Sequence, residues 1–265
     1  MQPPAVSALQ PKTLTRGNGA TIAYHCTPGK DSTKPIGVIF LGGFRSNMDG
    51  AKALALESWC RAERRAYLRF DYTGHGQSSG DFVDGCIGSW ADDALDVFDR
   101  LSSGPQVLVG SSMGGWIALL VARERFDRVK GLVGLAAAPD FTEDLIWDKM
   151  TADQRAELMQ RGQWLEPNDY DPLDPTVITQ KLIEDGRNHL ILRDPLNITA
   201  PVRLIQGMKD AEVPWATALN IQNALVGDDV EIQFVKTSDH RLSESSDLRR
   251  MERTLNALLL DLEHA

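Results

Sequence analysis

The chain is predicted to fold as an α/β protein with a mostly parallel central sheet and helices on both faces, because short apolar runs alternate with amphipathic stretches along most of its length. The runs 36–41, 67–70, 107–109, 129–135, 202–205 and 230–235 each have the length of one strand. Most are too continuously apolar for a strand with one wet face, so both faces of the sheet must be covered. Strands separated by helices pair in parallel through right-handed crossovers.

The elements follow in order. The segment 13–24 holds Gly17, Asn18 and Gly19 at its middle and is expected to be an antiparallel hairpin at the sheet edge. Ala51, Leu54, Ala55, Trp59 and Ala62 recur at helical spacing and predict one helix. Trp90, Ala94, Val97, Phe98 and Leu101 predict a second, and Met251, Leu255, Leu258, Leu259 and Leu262 predict a third. The alternation stops after Ala138. The stretch 141–197 offers only helical fragments, at 151–161 and 176–185, around the turn-rich EPNDYDPLDP. It is expected to be a helical lid inserted into one domain spanning 1–265, with Trp147 and Trp164 facing the substrate and Met150, Met159 and Tyr170 as further apolar lining.

Composition narrows the function classes. With 42% hydrophobic and 25% charged residues, the chain is ordinary for a globular protein. A net charge of −9 leaves no basic surface for phosphates, so no nucleic-acid partner is expected. No apolar segment reaches the length of a membrane span. Cys26, Cys60 and Cys86 are odd in number and lack metal-ligand spacing, which points to a reducing compartment and to no metal site. The first residues, MQPPAVSALQPKTLTRGNG, lack a basic start followed by an apolar core and so lack the pattern of a secretory signal. A cytoplasmic location is the expectation.

Chemistry concentrates at strand ends. VLVGSSMGGW matches G-x-S-x-G with Ser112 at its centre, between a predicted strand and a predicted helix. Glycines two before and two after a serine let a sharp strand-to-helix bend hold the hydroxyl at the sheet's carboxyl edge. A serine hydroxyl needs a base in hydrogen-bond reach, and the base needs an acid to orient it. Among the five histidines only His240, in SDHRLSE, lies just beyond the last predicted strand. Asp210, in LIQGMKDAEVPW, follows the strand before it; Asp140, after the strand ending near Leu135, is the rival acid. The order Ser112, Asp210, His240 is the nucleophile, acid, base order of α/β-hydrolases. The N–H groups of Met113 and Phe44 are the expected oxyanion donors, the second from LGGFRSNMDG with its Gly42-Gly43 bend. His75, in the glycine-rich FDYTGHGQSSG, is expected to shape the loop and not to react. Neither G-x-G-x-x-G nor a P-loop pattern is present, so no nucleotide and no cofactor is expected.

LGGFRSNMDGAKALALE, RFDYTGHGQSSG, GPQVLVGSSMGGW, LIQGMKDAEVPW and SDHRLSE together resemble the branch of α/β-hydrolase-fold serine hydrolases that holds the mitochondrial palmitoyl-protein thioesterase, also described as an acyl-glucuronide esterase. The resemblance spans 37–259. It implies Ser112, Asp210 and His240 as the catalytic residues, small-molecule or acyl-protein esters and thioesters as substrates, no cofactor, and a mitochondrial alternative for location. Two other readings share the fold: a non-catalytic module that binds a small molecule under the lid, and a C–C bond hydrolase.

Overall fold

The alternation of strands and helices closes into one eight-stranded sheet in the computed structural model, which describes residues 10–31, 33–166 and 175–264. β1 (Lys12–Thr15) and β2 (Thr21–Thr27) form the antiparallel edge hairpin. The interior strands are β3 (Gly37–Leu41), β4 (Tyr67–Phe70), β5 (Gln106–Ser111), β6 (Val129–Leu135) and β9 (Val202–Gly207), and β10 (Val230–Val235) closes the far edge. Their order is β1-β2-β4-β3-β5-β6-β9-β10, with every pair from β4 to β10 parallel. All residues of β3, β4, β5 and β9 are buried, which follows from a sheet covered on both sides.

The two-residue period of a strand divides the core into two layers. Ile39, Leu41, Leu108, Leu132 and Leu204 pack on one side with α2 (Ile87–Leu101) and α3 (Met113–Glu124). Val38, Phe40, Val107, Val109 and Val133 pack on the other with α1 (Ala51–Ala62) and α7 (Ser245–His264). The faces expected for α2 and α7 are the buried ones, with Leu101 and Leu262 half-buried at their margins. The face expected for α1 is not. Ala53, Leu56, Glu57 and Cys60 point inward, while Ala51, Leu54 and Ala62 are exposed. The reason is electrostatic: Glu57 is drawn inward to Arg69, whose Nε donates to Glu57 Oε2 at 2.8 Å, so a charged residue occupies a position that apolar counting leaves outside.

The expected lid region departs from its all-helical reading. It contains α4 (Ala152–Arg161), α5 (Gln180–Arg187) and a two-stranded antiparallel sheet of β7 (Gln163–Glu166) and β8 (Thr176–Thr179). Residues 176–179, expected to begin a helix, read Thr-Val-Ile-Thr, and their β-branched side chains suit the pleated ribbon they form with Trp164 and Leu165. The helix starts only at Gln180, where Thr179 Oγ1 accepts the Leu182 N–H. Tyr170 and most of EPNDYDPLDP lie outside the described residues. α6 (Ala216–Ala224) completes the fold between β9 and β10. Among the described residues, no helix is long and apolar enough to cross a membrane.

Candidate active site

Ser112 sits between the last residue of β5 and the first of α3, at φ 53° and ψ −119°. A non-glycine residue rarely adopts that backbone, and the surroundings must enforce it. The two flanking glycines show how. A Cβ on Gly110 would lie 2.3 Å from the Gly114 carbonyl oxygen, and one on Gly114 would lie 2.1 Å from that of Leu41. The bend is therefore packed too tightly for any side chain at either position. Its backbone is tied to the sheet, since Ser112 N–H donates to Leu135 O at 2.9 Å.

The loops after β9 and β10 bring the two partners over this bend. His240 Nε2 is 3.1 Å from Ser112 Oγ, and His240 Nδ1 is 2.8 Å from Asp210 Oδ2. A carboxylate only accepts, so Nδ1 carries the proton and Nε2 offers its lone pair to the serine hydroxyl. Asp210 is held by four donors in all. Its Oδ1 accepts the Glu212 and Val213 N–H groups at 3.0 and 2.8 Å, and Gln206 Nε2 donates to Oδ2 at 3.0 Å. Its side chain is 0% exposed, and that hydrogen bonding is what allows a carboxylate to be buried there.

The rival acid is engaged elsewhere. Asp140, also with no exposed surface, accepts the Ile191 N–H at 2.9 Å and the Leu192 N–H at 3.0 Å. Burial raises its pKa despite those bonds. It fastens the 191–192 backbone to the segment that follows β6. His75 is buried against Tyr72, Phe82 and Trp90, its Nδ1 lies 3.3 Å from Thr73 O, and burial pulls its pKa down to about 4.

A cavity of about 670 Å³ opens at Ser112 and His240, and Gly43 and Phe44 line it. A Cβ on Gly43 would stand 3.4 Å from Ser112 Cβ, so the loop after β3 passes directly over the serine. Met113, the first helical residue, has no intrahelical partner for its N–H and lies at the positive end of the helix dipole. Phe44 packs edge-on against Phe82, Trp90 and Phe141 at 4.9, 5.9 and 5.5 Å. Trp147 and Trp164, expected to face the substrate, are not among the residues lining this cavity. Trp147 is instead held between the Arg155 and Arg187 guanidinium groups at 5.0 and 4.5 Å. Trp164 is half-buried in β7 against the core. Both are held by local packing away from the cavity wall.

The cavity wall holds charged residues that the sequence reading passes over: Arg45, Lys52, Glu166, Glu212 and Arg241. Glu212 Oε2 stands 3.6 Å from His240 Nε2. Lys52 donates to the carbonyl of Arg241, and burial brings its pKa down to about 8. Arg45, Lys52, Glu212 and Arg241 lie within the segments that carry the strand-end chemistry and Glu166 opens EPNDYDPLDP, and that adjacency is the signal that could have found them. Gln206 is a second omission; it falls on a wholly buried strand, where an amide stands out against apolar neighbours. Among the described residues, no group of three or more His, Cys, Asp or Glu could hold a metal ion.

A family model described as the alpha/beta hydrolase family matches residues 38–253. The rat protein named "Palmitoyl-protein thioesterase ABHD10, mitochondrial" is 36% identical over 258 residues, covering 96% of this chain and 85% of the relative. The solved alpha/beta hydrolase domain-containing protein 10 from mouse matches with a TM-score of 0.88 and 34% identity, over 96% of this chain and 100% of that one. A solved protein of Agrobacterium vitis S4 matches with the same TM-score and 38% identity, over 94% and 97% of the two chains.

Proposed function

The chain belongs to the alpha/beta hydrolase family, and from that premise we propose that it cleaves carboxylic thioesters or esters through an acyl-enzyme on Ser112. One observation carries the reading: a single imidazole lies 2.8 Å from a buried carboxylate and 3.1 Å from a serine hydroxyl on a strained bend. Ser112 Oγ attacks the acyl carbon while its proton passes to His240 Nε2. Asp210 keeps the ring in the tautomer that can accept it and stabilises the imidazolium. The negative charge that develops on the acyl oxygen meets the N–H groups of Met113 and Phe44. His240 then protonates the leaving thiol or alcohol, and afterwards takes a proton from the water that releases the acid.

The name of the rat relative supports acyl-protein thioesters as one substrate class, and its "mitochondrial" supports that compartment over the cytoplasmic expectation. Charged groups around the cavity, including Lys52 and Glu212, favour a leaving group that is polar beyond the scissile bond. The test is turnover of p-nitrophenyl esters and S-acyl peptides, graded from acetyl to palmitoyl, by the wild type, Ser112→Ala and His240→Ala. Turnover that collapses in both variants, with stoichiometric fluorophosphonate labelling of Ser112 in the wild type, is the expected result. A protein that turns over none of these substrates and takes no label would be the binding module instead.

A further inference from the structure

The loop that carries Phe44 has an unusual support. It leaves β3 at Leu41 and enters α1 at Ala51, and within it Arg45 takes φ 57°, a conformation that costs energy for a side-chain-bearing residue. Such strain beside a backbone donor persists only where something else fixes the chain. Three residues on from Arg45, Met48 is buried and both of its backbone polar atoms are held by side chains from the end of β4. Met48 N–H donates to Asp71 Oδ1 at 2.6 Å, and Arg69 Nη1 donates to Met48 O at 2.9 Å. Arg69 and Asp71 are two residues apart, so an extended strand end presents both on one side.

Each of the two is fixed in turn. Asp71 Oδ2 accepts the Gln77 N–H at 2.8 Å, Arg69 Nη1 also reaches Asp49 Oδ1 at 2.6 Å, and Arg69 Nε donates to Glu57. Arg69 is 3% exposed and Asp71 2%, so the chain carries the desolvation of opposite charges beneath a surface loop. A loop that needed only to be covered would be served by apolar residues of the same volume. Neither residue is among those lining the cavity, so neither meets the substrate there.

We propose that Arg69 and Asp71 are positioning residues that clamp Met48 and thereby hold the Phe44 N–H where the acyl oxygen becomes negative. The proposal rests on the reading of Ser112 as nucleophile and Phe44 as donor. Because the clamp acts on the transition state, its loss lowers kcat and leaves KM nearly unchanged.

The test compares wild type, Asp71→Asn and Arg69→Lys as full chains on one neutral p-nitrophenyl ester, with rates expressed per fluorophosphonate-titrated site. An amide at 71 can accept only part of what the carboxylate accepts, and a lysine at 69 keeps the charge beside Glu57 without the guanidinium's several donors. The expected result is a fall in kcat of about 10- to 100-fold with KM within about twofold. Affinity for a trifluoromethyl ketone, which forms the tetrahedral oxyanion, should weaken by the same factor. Unchanged kcat per titrated site, even with a lowered melting temperature, would overturn the clamp. If Asp71→Asn folds too poorly to titrate, Arg69→Lys carries the same comparison. Turnover that survives in Ser112→Ala would break the premise instead, and the two failures are therefore distinguishable.

Discussion

Asp140 and Asp210 stand just beyond the carboxyl ends of neighbouring strands, both with fully buried side chains and both accepting two backbone N–H groups. By position either could serve a histidine over the sheet edge. Their loops decide otherwise. Asp210 receives its N–H groups from residues two and three places on, a local turn that leaves Oδ2 for Gln206 and His240. Asp140 spends its two oxygens on Ile191 and Leu192, about fifty residues away, with Arg193 at 3.6 Å. Each carboxylate oxygen can accept two hydrogen bonds, so capacity does not separate the two; direction does, because the Asp210 turn aims Oδ2 at His240 and the Asp140 carboxylate faces the 191–192 backbone. One aspartate thereby meets a histidine, and the other ties the 191–192 backbone to the segment that follows β6.

Removing the groups that the first aspartate serves should cost most. Ser112→Ala and His240→Ala are expected to lower kcat by on the order of 10⁵- to 10⁶-fold, measured on a short-chain ester, because members of such a set act as one unit. Asp210→Asn should lower kcat by about 10⁴-fold, since the amide can stabilise the wrong imidazole tautomer. Asp140→Asn breaks the comparison if the assignment is mistaken. It should leave kcat within about tenfold and lower stability by about 1–3 kcal/mol, as one of two buried N–H groups loses its acceptor. Equal losses of kcat in the two variants would mean that the acid has been misplaced.

A second contrast, between His240 and His75, sharpens the first through pH. His75 is buried neutral with a pKa of about 4 against an ordinary value of 6.5. Its contribution to stability is fully present above about pH 6.5 and is lost as pH falls through about 4, amounting to about 3 kcal/mol. Urea denaturation at neutral pH and near pH 4 should reveal the loss, and His75→Phe should flatten it. The smallest effect concerns Trp147. Trp147→Ala removes two cation–π contacts and should cost about 1–2 kcal/mol of stability, with kcat on short esters unchanged within about twofold.

Much of the fold was legible because strand and helix leave different periods in a sequence. The interior strands and the buried faces of α2 and α7 follow from apolar spacing, and the edge hairpin from the turn residues Gly17, Asn18 and Gly19. α1 misled that reading because Glu57 is inside, and apolar counting assigns a carboxylate to water unless its partner Arg69 is known. Residues 176–179 misled it because a two-stranded ribbon draws its stability from a partner strand that spacing does not reveal. The candidate site divides in the same way. Ser112, Asp210 and His240 could be named from motif, chain order and position at strand ends, while the exclusion of Trp147 and Trp164 from the cavity could not.

The sequence alone determined the period of most elements, the bend at Ser112 through its flanking glycines, and the chain order of Ser112, Asp210 and His240. Those are local properties of the covalent chain. Tertiary structure decided what holds each of the two aspartates, which face of α1 turns inward, and which charges surround the cavity. Each of those outcomes depends on a partner a dozen or more residues away. A buried charge or donor finds its lowest energy only once that partner is in place.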